Sequence, residues 1–225
     1  MIEADSSGGD LMIRYGLPST PSLLDVAAAT GKPHPGSLLG AASELPCGVR
    51  AVASVPGRGP CREAVRLLAA EPGARVLTGE AQDHGTVLMD VGRLSDDVEP
   101  LLQAAERVVL VTRGGAEALT HVAAYGLDTE AYGGRLTLVV VGPCPYAANE
   151  IARSLSVEHV VLLPWDARGV SALSRGGDSG RRIAARRSAS LPSASLQLAQ
   201  SLAALRAGAG RSLPRQAVGL TGRMS

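Results

Sequence analysis

Apolar positions along the chain fall into two alternating patterns. Short β-branched runs at Met1 to Ala4, Val49 to Val55, Thr86 to Asp90, Arg107 to Thr112, Leu136 to Gly142 and Val160 to Leu163 predict strands. Between them, leucine and alanine recur every three or four residues. This predicts helices over Ser22 to Ala29, Cys61 to Ala70, Val98 to Ala105, Ala116 to Tyr125, Ala147 to Leu155 and Ser193 to Ala207, each with one apolar stripe. In the last helix the stripe is Leu196, Ala199, Leu202 and Leu205. Strands and helices in alternation predict an α/β fold in three layers, with a mostly parallel, doubly wound sheet. Val108-Val109-Leu110-Val111 and Leu138-Val139-Val140-Val141 lack polar alternation, so both faces of those strands are expected to be covered by helices.

From Ser174 to Ser190 the chain turns to Gly, Ser and Arg, which predicts a mobile loop over 174–190 inside one domain spanning 1–207. A flexible tail over 208–225 follows, and no repeat of solenoid period is present. Composition adds limits to this picture. At 225 residues, 45% hydrophobic and 19% charged, the chain can bury a sizeable core, which excludes wholesale disorder. A net charge of +1 excludes the strongly basic signature of a dedicated nucleic-acid binder, so any anion site must be local. Cys47, Cys61 and Cys144 are odd in number and far apart, which points to a reducing cytoplasm rather than to disulfides or zinc. His34, His84, His121 and His159 have no paired spacing for a metal. No run approaches about 18 apolar residues, and acid stands where a signal peptide carries base, so a soluble, unexported protein is expected.

In open parallel sheets ligands bind beyond the carboxyl ends of the strands. Two acids stand at such positions: Asp5, leading into Ser6-Ser7-Gly8-Gly9-Asp10, and Asp90, leading into Val91-Gly92-Arg93. A carboxylate at a strand tip beside a glycine turn suits a hydrated Mg²⁺ or an oriented water. The alternative for each acid is helix capping and turn formation.

Taken in order, these stretches resemble the MinD/ParA family of P-loop ATPases. Ile2-Glu3-Ala4-Asp5-Ser6-Ser7-Gly8-Gly9-Asp10 is similar to the family's second-strand motif, whose acid forms the first switch. Val87-Leu88-Met89-Asp90-Val91-Gly92 is similar to its Walker B strand and second switch. Arg107 to Thr112, Leu138 to Gly142 and Leu162-Leu163-Pro164-Trp165-Asp166 are similar to three later strand ends, the last leading into the loop near the nucleotide base. The resemblance covers about residues 2 to 207. The wording Gly-Gly-Asp-Leu and Asp-Val-Gly-Arg-Leu looks closest to actinobacterial MinD-like proteins, a branch associated with Flp-type pilus or secretion gene clusters. The resemblance implies a cytoplasmic, nucleotide-dependent positioning, partitioning or assembly factor, binding ATP and Mg²⁺ between the subunits of a homodimer. It implies Asp5 and Asp90 as the catalytic and metal-holding residues, Gly92 at the γ-phosphate, and Pro164 and Asp166 at the base or ribose.

Departures from the family pattern carry their own expectations. The family opens with a strand and a Lys-Gly-Gly-x-Gly-Lys-Thr loop, whose amides and lysines gather phosphate. That loop is absent from this sequence; the one lysine, Lys32, stands in Thr30-Gly31-Lys32-Pro33, without the glycine loop and before a proline that donates no amide. Met1 falls where the family's second strand is under way, so about thirty residues, a strand plus a phosphate loop, are expected ahead of it in a complete member. Without that strand the sheet is expected to break at its centre, and the chain as numbered is not expected to hydrolyse ATP appreciably. The alternative function is a pseudo-ATPase scaffold that keeps the fold and the dimer surface. The family's base-reading asparagine is also missing, the run ending Val141-Gly142-Pro143-Cys144, which leaves base specificity open. Arg175, Arg181, Arg182, Arg186 and Arg187 are either a contact for anionic lipid or DNA backbone, or a solvated loop.

Overall fold

Ile2, Ala4 and Val52 are small or β-branched residues in extended backbone, and burying them together brings the first strand into the interior. In the computed structural model, which describes residues 1–29, 37–70, 73, 76–77, 86–126, 131–132, 134–175 and 191–209, β1 (Ile2–Glu3) lies between two neighbours. On one side it pairs in parallel with β4 (Met89–Asp90), Ile2 opposite Met89 and Glu3 opposite Asp90. On the other side Glu3 N–H donates to the Val52 carbonyl at 3.0 Å, just past β3 (Arg50–Ala51). β3 pairs antiparallel with β2 (Ser43–Glu44), an element the apolar pattern does not predict because neither of its residues is apolar.

The second sheet is fully parallel: β5 (Val108–Arg113), β6 (Leu136–Val141) and β7 (His159–Leu163), in that order, with Leu110 opposite Leu138 and Leu138 opposite Val160. Among the described residues no ladder joins β4 to β5, so β1 with β4 and β5 with β6 and β7 form separate sheets. β6 is covered on both faces and is buried from Leu136 through Val140. β5 corrects the expectation of two covered faces: Val109 and Val111 are 36% and 62% exposed, on the face shared with Thr137 and Val139. On that face the helix over 191–209 meets Thr137, His159 and Val161 of β6 and β7, and β5 lies outside that contact.

Helices α1 (Leu11–Tyr15), α2 (Leu23–Ala28), α3 (Ser37–Gly40), α4 (Arg58–Ala69), α5 (Glu99–Ala104), α6 (Ala116–Ala124), α7 (Ala148–Ser154), α8 (Ala167–Arg175) and α9 (Leu191–Ala209) surround these strands. Ser22 and Asp25 start α2 through a reciprocal capping box, legible in the sequence as Ser-x-x-Asp. α4 buries Cys61, Ala64, Val65 and Leu68, a stripe at three- and four-residue spacing, and packs on the buried Leu23, Val26 and Ala27 face of α2. α8 continues through Arg175, so the loop expected from 174 does not begin before that residue. α9 runs to Ala209, two residues beyond the expected end of the domain. The rest of the expected loop and tail lies outside the described residues, as do Lys32, Arg181, Arg182, Arg186 and Arg187. On α9 the inward stripe is Leu198, Leu202 and Leu205, facing Thr137, His159 and Val161 across a small cavity. Of the expected stripe Leu202 and Leu205 do face the sheet, whereas Leu196 and Ala199 are exposed, because Leu198 takes the inward place one turn before Leu202.

Arg62 on α4 grips Asp97, just before α5, by a fork of two hydrogen bonds of 2.8 and 3.1 Å. The guanidinium hydrogen bond holds the Asp97 carboxyl below the usual aspartate range. A depressed folded-state value means the pair stabilises the fold above the ordinary aspartate range and stops doing so as pH falls through the lowered value. The expected result is a small additional loss of stability on acidification that Asp97→Asn abolishes, read from urea midpoints at neutral and acid pH.

Candidate nucleotide and metal site

The candidate site begins with two strand tips placed side by side by the β1–β4 ladder. Asp90 is itself paired with Glu3, and Asp5 stands two residues on: Ala4 N–H donates to the Asp90 carbonyl at 2.7 Å, one residue before Asp5. Gly92 joins the two acids. Its N–H donates to Asp90 Oδ1 at 3.0 Å, its φ is +67°, and a Cβ added to it would land on the Asp5 carboxylate. Only glycine meets both requirements, the left-handed backbone and the close approach. The three residues taken from the sequence as Asp5, Asp90 and Gly92 are therefore brought together.

Each acid also makes the turn that was its alternative reading. Asp5 Oδ1 accepts from Ser7 N–H at 2.8 Å and Ser7 Oγ at 2.7 Å, and Asp90 Oδ1 accepts from Gly92 N–H. These bonds hold the carboxylates in place while Asp90 remains exposed and Asp5 partly so.

Beneath them lies a residue the sequence reading did not single out. Glu3 is 5% exposed, and no cation balances it in the hydrogen bonds it makes. Its Oε1 accepts from Asp10 N–H at 2.8 Å and Leu11 N–H at 3.0 Å, and its Oε2 accepts from Ser54 N–H at 3.0 Å. Ser54 Oγ returns a hydrogen bond of 2.6 Å to the Glu3 carbonyl. One buried carboxylate thus ties the end of the Asp5 loop, the start of α1 and the segment after β3 together, satisfying donors that burial would otherwise leave orphaned. A charged residue inside an apolar strand run was the available signal. Cys61 adds a weaker tie, accepting from Gly9 N–H at 3.2 Å and donating to the Val55 carbonyl at 3.1 Å.

Pro164 and Asp166 stand elsewhere, beyond β7 in the second sheet. Asp166 Oδ1 accepts from Gly169 N–H at 2.8 Å and Oδ2 from Leu191 N–H at 3.3 Å, so its carboxylate starts α8 and anchors α9. Trp165 between them is 65% exposed, with the Arg113 guanidinium 5.7 Å from its ring centroid. Cys144 lies close to Gly114, where an added Cβ would come within 2.7 Å of the Cys144 Cβ.

As a donor set, Asp5 and Asp90 fit Mg²⁺, which takes one or two carboxylates and keeps several waters. No cluster of three or more His, Cys, Asp or Glu able to hold a metal by itself occurs among the described residues. The phosphates of a nucleotide are a different matter, because no glycine-lysine loop is present to gather them.

Parallel strands flanked by helices, with acids at the tips of two paired strands, make up a mixed α/β fold. The particular likeness is to the crystal structure of a ParA family ATPase from Chlorobium tepidum TLS, with a TM-score of 0.64 at 14% identity, over 88% of this chain and 83% of that one. At this identity the likeness is one of fold. No protein-family model matches the chain, and no curated protein matches it in sequence. No helix among the described residues is long and apolar enough to cross a membrane.

Proposed function

We propose that this chain is the switch-bearing body of a ParA-like, nucleotide-dependent positioning, partitioning or assembly factor of the MinD-like branch, acting in the cytoplasm as a homodimer with a pilus or secretion partner. The observation that carries the reading is the meeting of Asp5, Asp90 and Gly92 at the tips of β1 and β4 within a ParA-like fold. In this reading Asp5 and Asp90 hold the water shell of a Mg²⁺, and the Gly92 turn keeps backbone close to both. The cation, when bound, supplies positive charge for the nucleotide phosphates. Pro164 and Asp166 form the loop at the base end, Asp166 as a positioning residue through its hold on α8. Contact with DNA or membrane belongs to Arg181, Arg182, Arg186 and Arg187.

A second reading, a scaffold that has lost nucleotide chemistry, is favoured by the separation of the two parallel sheets and by the absent glycine-lysine loop. Calorimetry with ATP·Mg²⁺ separates the two. It should be run on the 225-residue chain and on a version carrying an amino-terminal strand and Lys-Gly-Gly-x-Gly-Lys-Thr loop. The expected outcome is binding by the extended form, lost in its Asp90→Ala variant. Two folded proteins that both ignore ATP would establish the scaffold instead.

A further inference from the structure

Thr137 is the one polar side chain of β6, a strand otherwise made of Leu and Val. It is 2% exposed, and its Oγ1 has no hydrogen-bond partner among the described residues. A buried hydroxyl left unpaired costs stability, and valine would take the same place in a strand without that cost. Its parallel neighbour in register is His159, the first residue of β7, on the same face of the sheet. The imidazole is partly buried, and its Nε2 stands 3.7 Å from Glu158 Oε1, beyond hydrogen-bond length. Two polar side chains thus sit side by side beneath a helix that covers them with leucine.

That cover is not close. Between α9 and the sheet lies a cavity of about 240 Å³, walled by Leu198, Leu202, Leu205 and Val161 together with Thr137 and His159. A dry apolar cavity of about 150 Å³ takes benzene, so this one has room for a single ring with a substituent. Glu158, its side chain 68% exposed, and the exposed Ser201 stand at the rim and mark the opening to solvent. Ser201 Oγ is engaged on its own helix, donating to the Gln197 carbonyl at 2.9 Å, which leaves Thr137 and His159 to orient a guest. The acidic rim disfavours an anion, and the leucine walls disfavour any charge that must leave water. Apolar walls with a few convergent polar groups are the usual composition of a small-molecule site.

We propose that the cavity under α9 binds a small neutral alcohol or phenol of one ring, its hydroxyl paired with Thr137 Oγ1 and the His159 imidazole and its ring against the leucines. Thr137 both donates and accepts, so one guest hydroxyl satisfies it whichever tautomer His159 holds. The site opens β6 and β7 at their amino-terminal ends, whereas Asp166 follows the carboxyl end of β7, so it stands apart from the nucleotide reading.

The 225-residue chain is titrated with phenol, cyclohexanol, toluene and benzoate while its leucine and valine methyl resonances are followed by NMR. Phenol and cyclohexanol are expected to shift the methyls of Leu198, Leu202 and Leu205. Toluene, which lacks the hydroxyl, is expected to bind about fivefold more weakly, and benzoate to leave the methyls in place. Thr137→Val is expected to raise the urea midpoint of the free protein and to bring phenol down to the level of toluene. Thr137→Ser, which keeps the hydroxyl, is expected to retain the preference for phenol. Circular dichroism checks that both variants fold, and the comparison of phenol with toluene on the unchanged chain decides the matter if they do not. Toluene binding as tightly as phenol, a folded Thr137→Val variant that keeps the preference, or methyl shifts confined to another part of the protein would each overturn the proposal. Silence from all four probes up to their solubility would overturn it too, leaving the cavity to water.

Discussion

Glu3→Ala is expected to lower the stability of the protein by about 3 kcal/mol or more, a large share of what holds a typical domain together. Truncation removes the acceptor of three backbone amides, two of them on buried hydrogen bonds, and each orphaned buried donor costs about 1 to 3 kcal/mol. Glu3→Gln separates charge from shape. Its carbonyl oxygen can serve Asp10 and Leu11, but its NH₂ then faces the Ser54 N–H, so a loss of about 1 to 2 kcal/mol is expected. Urea unfolding gives the totals. Hydrogen exchange gives the location: the amides of Asp10, Leu11 and Ser54 should lose protection first, before the β5–β6–β7 sheet. A neutral Glu3→Ala would mean that water replaces the carboxylate and that the Asp5 loop does not depend on it.

Gly92→Ala is expected to be nearly as damaging, for a different reason. A non-glycine residue at φ +67° costs about 1 kcal/mol wherever it stands. Here the added methyl also lands on the Asp5 carboxylate, so Asp5 must leave the turn it makes with Ser7 or β4 must shift. A total of about 2 to 4 kcal/mol is expected. Gly126 supplies the control, since its φ is +66° and a Cβ there meets nothing within 4 Å. Gly126→Ala should show the backbone cost alone, about 1 kcal/mol. Equal losses in the two variants would mean that the close approach of Gly92 to Asp5 does not exist in solution. A larger loss at Gly92, accompanied by weaker Mg²⁺ binding, would tie the approach to the proposed site.

Much of this molecule is written in local runs of sequence. β6 lies at Leu136–Val141 because six consecutive apolar or β-branched residues suit a strand buried on both faces. α4 lies at Arg58–Ala69 because Cys61, Ala64, Val65 and Leu68 share one helical face. Asp5, Asp90 and Gly92 were legible for the same reason, since a strand tip followed by a glycine turn is a local signal. The short elements were not legible. α1 spans five residues and is placed by acceptors on β1, and β2 exists through its pairing with β3.

What the sequence by itself determined, then, is the parallel α/β character of the chain, the strand tips at which its acids stand, and the absence of a glycine-lysine loop. Tertiary structure alone decided that β1 lies against β4, eighty-seven residues away in register, so that Asp5 and Asp90 become neighbours. It also decided that Glu3 is an internal anchor rather than a surface acid, that Val109 and Val111 face an open side, and that Arg113 meets Trp165. The physical reason is common to all of these. Periodicity reports which face of an element is apolar, whereas the partner that covers the face, accepts the amide or stacks on the ring comes from residues tens of positions distant, and its identity is settled only when the layers pack.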